Sequence, residues 1–269
     1  MNVRPIVKYH GGKGRLFQWI LESFTEHHTY CEPFGGAASV LLNKKPSKIE
    51  LYNDIEYTIF NVMRTIRDNY DDFMERIIKV KYEKETYLAN KKIYFSESFK
   101  SLDHMEQAIV TYITKRMSRG GTCTTFSWSS RIYSTGPAEV HCWNSAIKTL
   151  FMAKDRLQGV EIANEKAIDV IQKLDGEKTL FYLDPPYLHS TRKSKDVYVH
   201  EMSEEDHVKL AETCSRLKGK VILSGYPSEK YESLYSGWNC EIKDTANHCG
   251  HNRGEGSKSR MQECIWKNF

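Results

Sequence analysis

Short apolar runs of strand length occupy both ends of the chain, and longer stretches with apolar residues at helical spacing separate them. Residues 178–183 (Lys-Thr-Leu-Phe-Tyr-Leu) and 220–224 (Lys-Val-Ile-Leu-Ser) are continuous β-branched, aliphatic or aromatic runs, as a strand buried on both faces requires. Shorter runs at 29–31, 49–52 and 160–163 read the same way, and 240–243 with 263–266 read as a closing antiparallel pair. Helices are expected over 16–24, 37–43, 167–174 and 204–217. The last opens with Ser203-Glu204-Glu205-Asp206, a cap followed by the acidic residues that a helix dipole favours. Strands that alternate with helices predict an α/β protein.

The middle of the chain breaks this alternation. From 56 to about 157, helical stretches at 59–67, 73–80 and 107–117 follow one another among many Lys, Arg, Tyr and Ser residues. This predicts an inserted, mainly helical subdomain at 57–157, between the two parts of an α/β domain at 1–56 and 158–269. A length of 269 residues accommodates that plan.

Composition narrows the class. With 40% hydrophobic and 28% charged residues the chain is an ordinary globular protein, and no stretch approaches a membrane span. Residues 1–13 contain no apolar signal core, so an intracellular protein is expected. A net charge of +4 permits a polyanionic partner without demanding one. Seven scattered cysteines without a CxxC pair predict reduced thiols. His248-Cys249-Gly250-His251 lacks a second ligand pair at zinc-like spacing, so no metal is expected.

The candidate chemistry centres on Asp184-Pro185-Pro186-Tyr187, directly after a buried strand, where ligands of open α/β sheets bind. Neither proline offers an N–H, so the turn presents the Asp184 carboxylate and the Asp184 and Pro185 carbonyls beside a flat ring. Two acceptors beside a ring suit a planar heterocycle bearing an amino group. Met alone, the same residues would equally make a strand-ending turn with a tyrosine lid. Two small-residue turns come earlier. Lys8-Tyr9-His10-Gly11-Gly12-Lys13-Gly14 precedes a helix and can turn N–H groups and a lysine towards an anion. Glu32-Pro33-Phe34-Gly35-Gly36 follows a strand and lets backbone approach a ligand, without being the dinucleotide GxGxxG. Asp54 ends the next strand at the spacing where a carboxylate receives ribose hydroxyls, or caps the following helix. In the central segment, residues 116–131 interleave Arg116, Arg119 and Arg131 with Thr122, Thr124, Phe126 and Trp128. That suits guanine edges or phosphates, or alternatively a surface loop pinned by two aromatics. Arg192, Lys193 and Lys195 form a basic loop suited to phosphates.

Taken in order, these motifs resemble the Dam-type adenine-N6 DNA methyltransferases, and residues 116–131, 200–202 and 223–227 resemble the phage and prophage branch most. The resemblance spans almost the whole chain. It implies a Rossmann-like sheet, mostly parallel with one antiparallel C-terminal strand, and a target-recognition insertion before the catalytic strand. It also implies S-adenosylmethionine as methyl donor, double-stranded DNA as partner, and the cytoplasm of a bacterial or phage-infected cell. By carry-over, Tyr9, Lys13, Glu32, Pro33, Phe34, Gly35 and Gly36 line the donor site and Asp54 takes the ribose. Asp184 and the Pro185 carbonyl hold the adenine amino group, and Tyr187 stacks on the base. Lys166 stands where such enzymes often carry an acidic residue, which leaves Asn164 as the expected hydrogen-bond partner there. Cytosine and amide substrates more often go with Ser or Asn at the Asp184 position, which disfavours them; a non-catalytic DNA-binding protein is disfavoured by the intact motifs.

Overall fold

In a computed structural model that describes residues 2–134, 136–191, 199–246 and 260–269, side-chain alternation along the strands decides which helices pack where. The strands are β1 (Thr29–Glu32), β2 (Ile49–Asn53), β3 (Ile132–Tyr133), β4 (Gly136–Pro137), β5 (Glu161–Ala163), β6 (Thr179–Leu183), β7 (Lys220–Gly225), β8 (Asn239–Ala246) and β9 (Arg260–Lys267). Seven of them form one sheet in the order β5-β2-β1-β6-β7-β9-β8, while β3 and β4 pair with each other. The first five neighbours run parallel, and β9 lies antiparallel between β7 and β8. This is the mostly parallel α/β sheet with one antiparallel C-terminal strand that the resemblance implied.

The helices are α1 (Phe17–Glu22), α2 (Tyr57–Asp68), α3 (Tyr70–Ile77), α4 (Lys84–Tyr94), α5 (His104–Met117), α6 (Ala138–Lys148), α7 (Leu150–Leu157), α8 (Ala167–Lys173), α9 (Glu204–Cys214) and α10 (Glu229–Leu234). On one face of the sheet, Tyr30, Tyr52, Leu180, Tyr182, Ile222 and Ile265 share a core with α1 and with residues of α2 to α7 such as Ile59, Tyr112 and Trp143. On the other, Cys31, Leu51, Phe181, Leu183, Leu223 and Trp266 pack against Val170 of α8, Leu210 of α9 and Tyr231 of α10. The period of two is therefore complete on β6, and each large apolar side chain buried there contributes about 1.5–3 kcal/mol. The core runs without a break from the sheet into the helices of the central segment.

Local expectations meet the structure unevenly. Ser203 and Asp206 close a reciprocal capping box at the start of α9, which then ends at Cys214 instead of running to 217. The helix expected over 37–43 is absent; the segment is a series of turns. Gly36 and Ala38 adopt positive φ, and the Glu32 carboxylate accepts the Leu41 N–H at 3.0 Å, so the helical ladder never propagates. Helix α4 was not anticipated, because Lys84, Glu85, Lys91 and Lys92 dilute its apolar spacing.

Candidate active site

Three carboxylates stand at the C-terminal ends of adjacent parallel strands. Glu32 is the last residue of β1, Asp54 follows β2, and Asp184 follows β6. They line one cavity of about 440 Å³, a volume fitting for a nucleoside-sized ligand. Tyr9, Lys13, Glu32, Pro33, Phe34, Gly35, Gly36 and Asp54 all face it, as do His200, Glu201 and Met202 ahead of α9.

Backbone geometry explains the glycine turn. A Cβ on Gly35 would stand 2.1 Å from the ring of Tyr52, and one on Gly36, at φ +47°, would stand 3.1 Å from the ring of Tyr9. Tyr52 is fully buried and donates to the Gly36 carbonyl at 2.8 Å, so it cannot yield. The Gly36 N–H donates to Asp54 Oδ2 at 2.7 Å, and the Glu56 N–H to Oδ1 at 2.8 Å. Asp54 is therefore not the helix cap that the alternative expected: it holds the N–H of Glu56, the residue ahead of α2, while no side chain caps that helix, and each Asp54 oxygen keeps a further lone pair. Asn53 ties the wall together: its amide donates to the Pro33 and Glu165 carbonyls and accepts the Glu165 N–H.

Asn164 does not line the cavity. Its amide donates to the Asp54 carbonyl at 2.7 Å and the Ile55 carbonyl at 3.0 Å, which uses it as a brace behind the Asp54 turn. Lys166 and Asp169, at the start of α8, line that wall instead. An acidic residue in the first turn after a strand was the available signal for Asp169.

Asp184 grips a cation. The Lys13 ammonium lies 2.7 Å from Oδ1 and 2.9 Å from Oδ2, donates to the Gly11 carbonyl at 2.9 Å, and sits over the Tyr187 ring at 4.8 Å. Tyr187 is buried, meets Tyr226 edge-on at 4.6 Å, and donates its hydroxyl to Glu263 on β9. Glu263, 3.4 Å from the same ammonium, is placed by its sequence only in a closing strand and not at this site.

Burial sets the electrostatics. It pushes the Glu32 carboxyl up to about 8, against the Leu41 N–H, and the Asp54 carboxyl up to about 7, assisted by the Glu56 charge. Asp184 and Glu263 are likewise raised by burial, with the Lys13 charge opposing in both. A raised carboxyl stabilises the fold below its unfolded value and loses that contribution as pH climbs to the folded value. Glu32 therefore costs stability between pH 4.5 and about 8. Glu32→Gln is expected to unfold at higher urea than the parent at the alkaline end of this window, by on the order of a few kcal/mol, with the advantage vanishing at the acid end. Parallel urea midpoints for the two proteins across the window would refute this.

The polar loop of the central segment divides. Arg119, Thr124 and Arg131 are exposed and Thr122 is half-buried, with its hydroxyl bonded to that of Thr124. Arg116 is turned inwards: it donates to the Pro5 carbonyl at 2.9 Å and lies over the Tyr112 ring, a brace between segments. Of the two aromatics, Phe126 packs against Tyr82 and Tyr87 while Trp128 is exposed. A second unanticipated contact joins this segment to the cavity. Lys115 of α5 pairs with Glu56 at 2.9 Å and lies over the Tyr9 ring, and Tyr9 donates to Glu56 at 3.1 Å. Arg192, Lys193 and Lys195, with 248–251, lie outside the described residues. Among the described residues no helix is long and apolar enough to cross a membrane, and no group of three or more His, Cys, Asp or Glu could hold a metal.

Carboxylates at the ends of β1, β2 and β6, a glycine turn beside them and an antiparallel β9 define a Rossmann-like methyltransferase fold. The D12 class N6 adenine-specific DNA methyltransferase family model matches residues 9–248, and the chain belongs to that family. It is a site-specific adenine DNA methyltransferase. No curated relative matches the chain.

Proposed function

We propose that this enzyme is of the Dam type, in its phage and prophage branch, and moves a methyl group from S-adenosylmethionine to the N6 nitrogen of an adenine turned out of the DNA stack. The observation that carries the reading is the grip of Asp184 on a nitrogen cation across both oxygens, above the face of the Tyr187 ring. An amino group flanked by a heterocycle fits the same acceptor and the same ring face.

The donor, when bound, supplies a sulfonium-borne methyl group as the electrophile. Tyr9, Phe34, Gly35 and Gly36 shape its cavity; Asp54 accepts hydroxyl protons with its remaining lone pairs, and Asp169 replaces Asn164 as the polar partner on the far wall. The adenine amino nitrogen is a poor nucleophile because its lone pair is delocalised into the ring. Asp184 and the Pro185 carbonyl, accepting its two N–H bonds, favour a pyramidal nitrogen with a localised lone pair. Their attraction grows as positive charge develops on that nitrogen, which is where stabilisation accelerates the step. As the N–C bond forms, the nitrogen sheds one proton, and the Asp184 carboxylate, made more basic by burial, stands in reach to take it. Extrusion of the base costs a few kcal/mol, which stacking on Tyr187 offsets.

Residues 57–157 serve in this reading as the target-recognition insertion between the catalytic parts 1–56 and 158–269. Exposed Arg119, Thr124 and Arg131, interleaved with exposed Trp128, supply its DNA contacts. The test is incubation of adenine-unmethylated plasmid DNA with labelled S-adenosylmethionine, followed by mapping of modified adenines. Label in N6-methyladenine at one recurring sequence is expected, and none in any context would end the proposal. In the same assay, Arg119→Ala and Arg131→Ala are expected to weaken DNA binding by about tenfold or to relax the mapped sequence. Unchanged affinity and site choice in both would move recognition elsewhere.

A further inference from the structure

The acceptor of the proposed reaction is plugged by the protein's own cation. The Lys13 ammonium spans both Asp184 oxygens and covers the Tyr187 ring, so an incoming amino group and its ring meet an occupied seat. Lys13 is 5% exposed, and a buried ammonium displaced from one carboxylate needs another within reach. Glu263 is that group. Glu263 is only 6% exposed, lies on the same side of β9 as the buried Ile265, and has its Oε1 3.4 Å from the ammonium. The same oxygen accepts the Tyr187 hydroxyl, which fixes the ring from its far end.

We propose that Glu263 is a positioning residue: it receives the Lys13 ammonium when the target amino group takes over Asp184, and it anchors the ring on which the base settles. This rests on the reading of Asp184 given above. The exchange moves no covalent bond. The cation shifts from one buried carboxylate to its neighbour, and a neutral amino group replaces it on Asp184. Burial raises both carboxyls and the single ammonium opposes this in each, in keeping with one cation shared between two acids.

A double-mutant cycle tests the exchange. Glu263→Gln keeps an acceptor for the Tyr187 hydroxyl and removes only the charge that Lys13 needs. It is expected to lower kcat/KM for plasmid DNA by about tenfold or more, with S-adenosylmethionine affinity by calorimetry within about threefold of the parent. In a Lys13→Met background, where no ammonium needs a seat, the same change is expected to cost less than about threefold. Equal costs in both backgrounds, or a loss that follows donor affinity and thermal stability, mean an ordinary structural role and overturn the proposal. Where a variant fails to fold or to turn over, a crystal structure of the unmodified enzyme with plasmid-derived duplex and S-adenosylhomocysteine decides. Lys13 Nζ at about 3 Å from Glu263, with a base on Asp184, supports the exchange. Lys13 still bridging Asp184 beside an extruded base, or paired elsewhere, overturns it. Asp184→Ala separates the two readings: if it retains activity, the account of Asp184 falls first, whereas an inactive Asp184→Ala with an additive cycle removes only the role of Glu263.

Discussion

Replacing Asp184 with alanine is expected to lower methyl transfer by a factor of about a thousand or more while S-adenosylmethionine affinity stays within about tenfold. The asymmetry follows from position. Asp184 follows β6 and holds its charge against Lys13, whereas the proposed donor wall is the 32–36 turn, Asp54 and the start of α8. Removing the carboxylate deletes an acceptor whose contribution grows in the transition state, so the loss falls on kcat more than on binding. Label transfer to DNA at near-parental rate would remove Asp184 from the centre of the reaction. An equal collapse of donor binding would assign it to the wrong ligand.

The second large effect is expected from Gly35→Ala, a change of one methyl group. That methyl would lie 2.1 Å from a ring carbon of Tyr52, which is fully buried and hydrogen-bonded to the Gly36 carbonyl. Neither ring nor turn can shift alone, because the Gly35 N–H also donates to the Asn53 carbonyl at 2.8 Å. Overpacking of this kind costs about 1–3 kcal/mol and deforms whatever the turn was shaped to hold. A midpoint shift of that size in urea, together with at least tenfold weaker donor binding, is the expected result. Gly176→Ala is the control, since its added methyl meets nothing nearer than Thr179 Oγ1 at 3.7 Å. Equal stability and donor affinity for the two variants would show that the turn tolerates a side chain and that its glycines are not required by packing.

The contact of Lys115 with Glu56 and Tyr9 gives the central segment a direct hold on the cavity wall. Glu56 donates its N–H to Asp54, and its carboxylate pairs with a lysine of α5. Despite burial, which alone would lower it, the Lys115 ammonium is held above its ordinary range by the Glu56 charge. Through this pair and the Tyr9 ring, α5 is in direct contact with the residues that neighbour Asp54.

The seven strands of the main sheet, the capped helix at Ser203, the proline turn at Asp184 and the glycine turn beside it were determined by the sequence alone, whereas the short β3–β4 pair was not. Each depends on residues within a few positions of one another: apolar runs, prolines without N–H groups, and small residues after a strand. Tertiary structure decided the rest. Residues 37–43 carry a helix-like pattern, yet the Glu32 carboxylate takes the N–H that a helix would use. Asn164 has the chemistry of a ligand contact and is used to hold the Asp54 backbone. Arg116 reads as a DNA contact and faces Pro5. Glu263 looked like one polar position in a closing strand, between Gln262 and Cys264. The register of β9 against β7 places it beside Lys13 and Tyr187, and a shift of one residue would have turned it to the opposite face. Pairing across such separations follows from sheet order and register, which are set by the packing of the whole core and are not written in any local pattern.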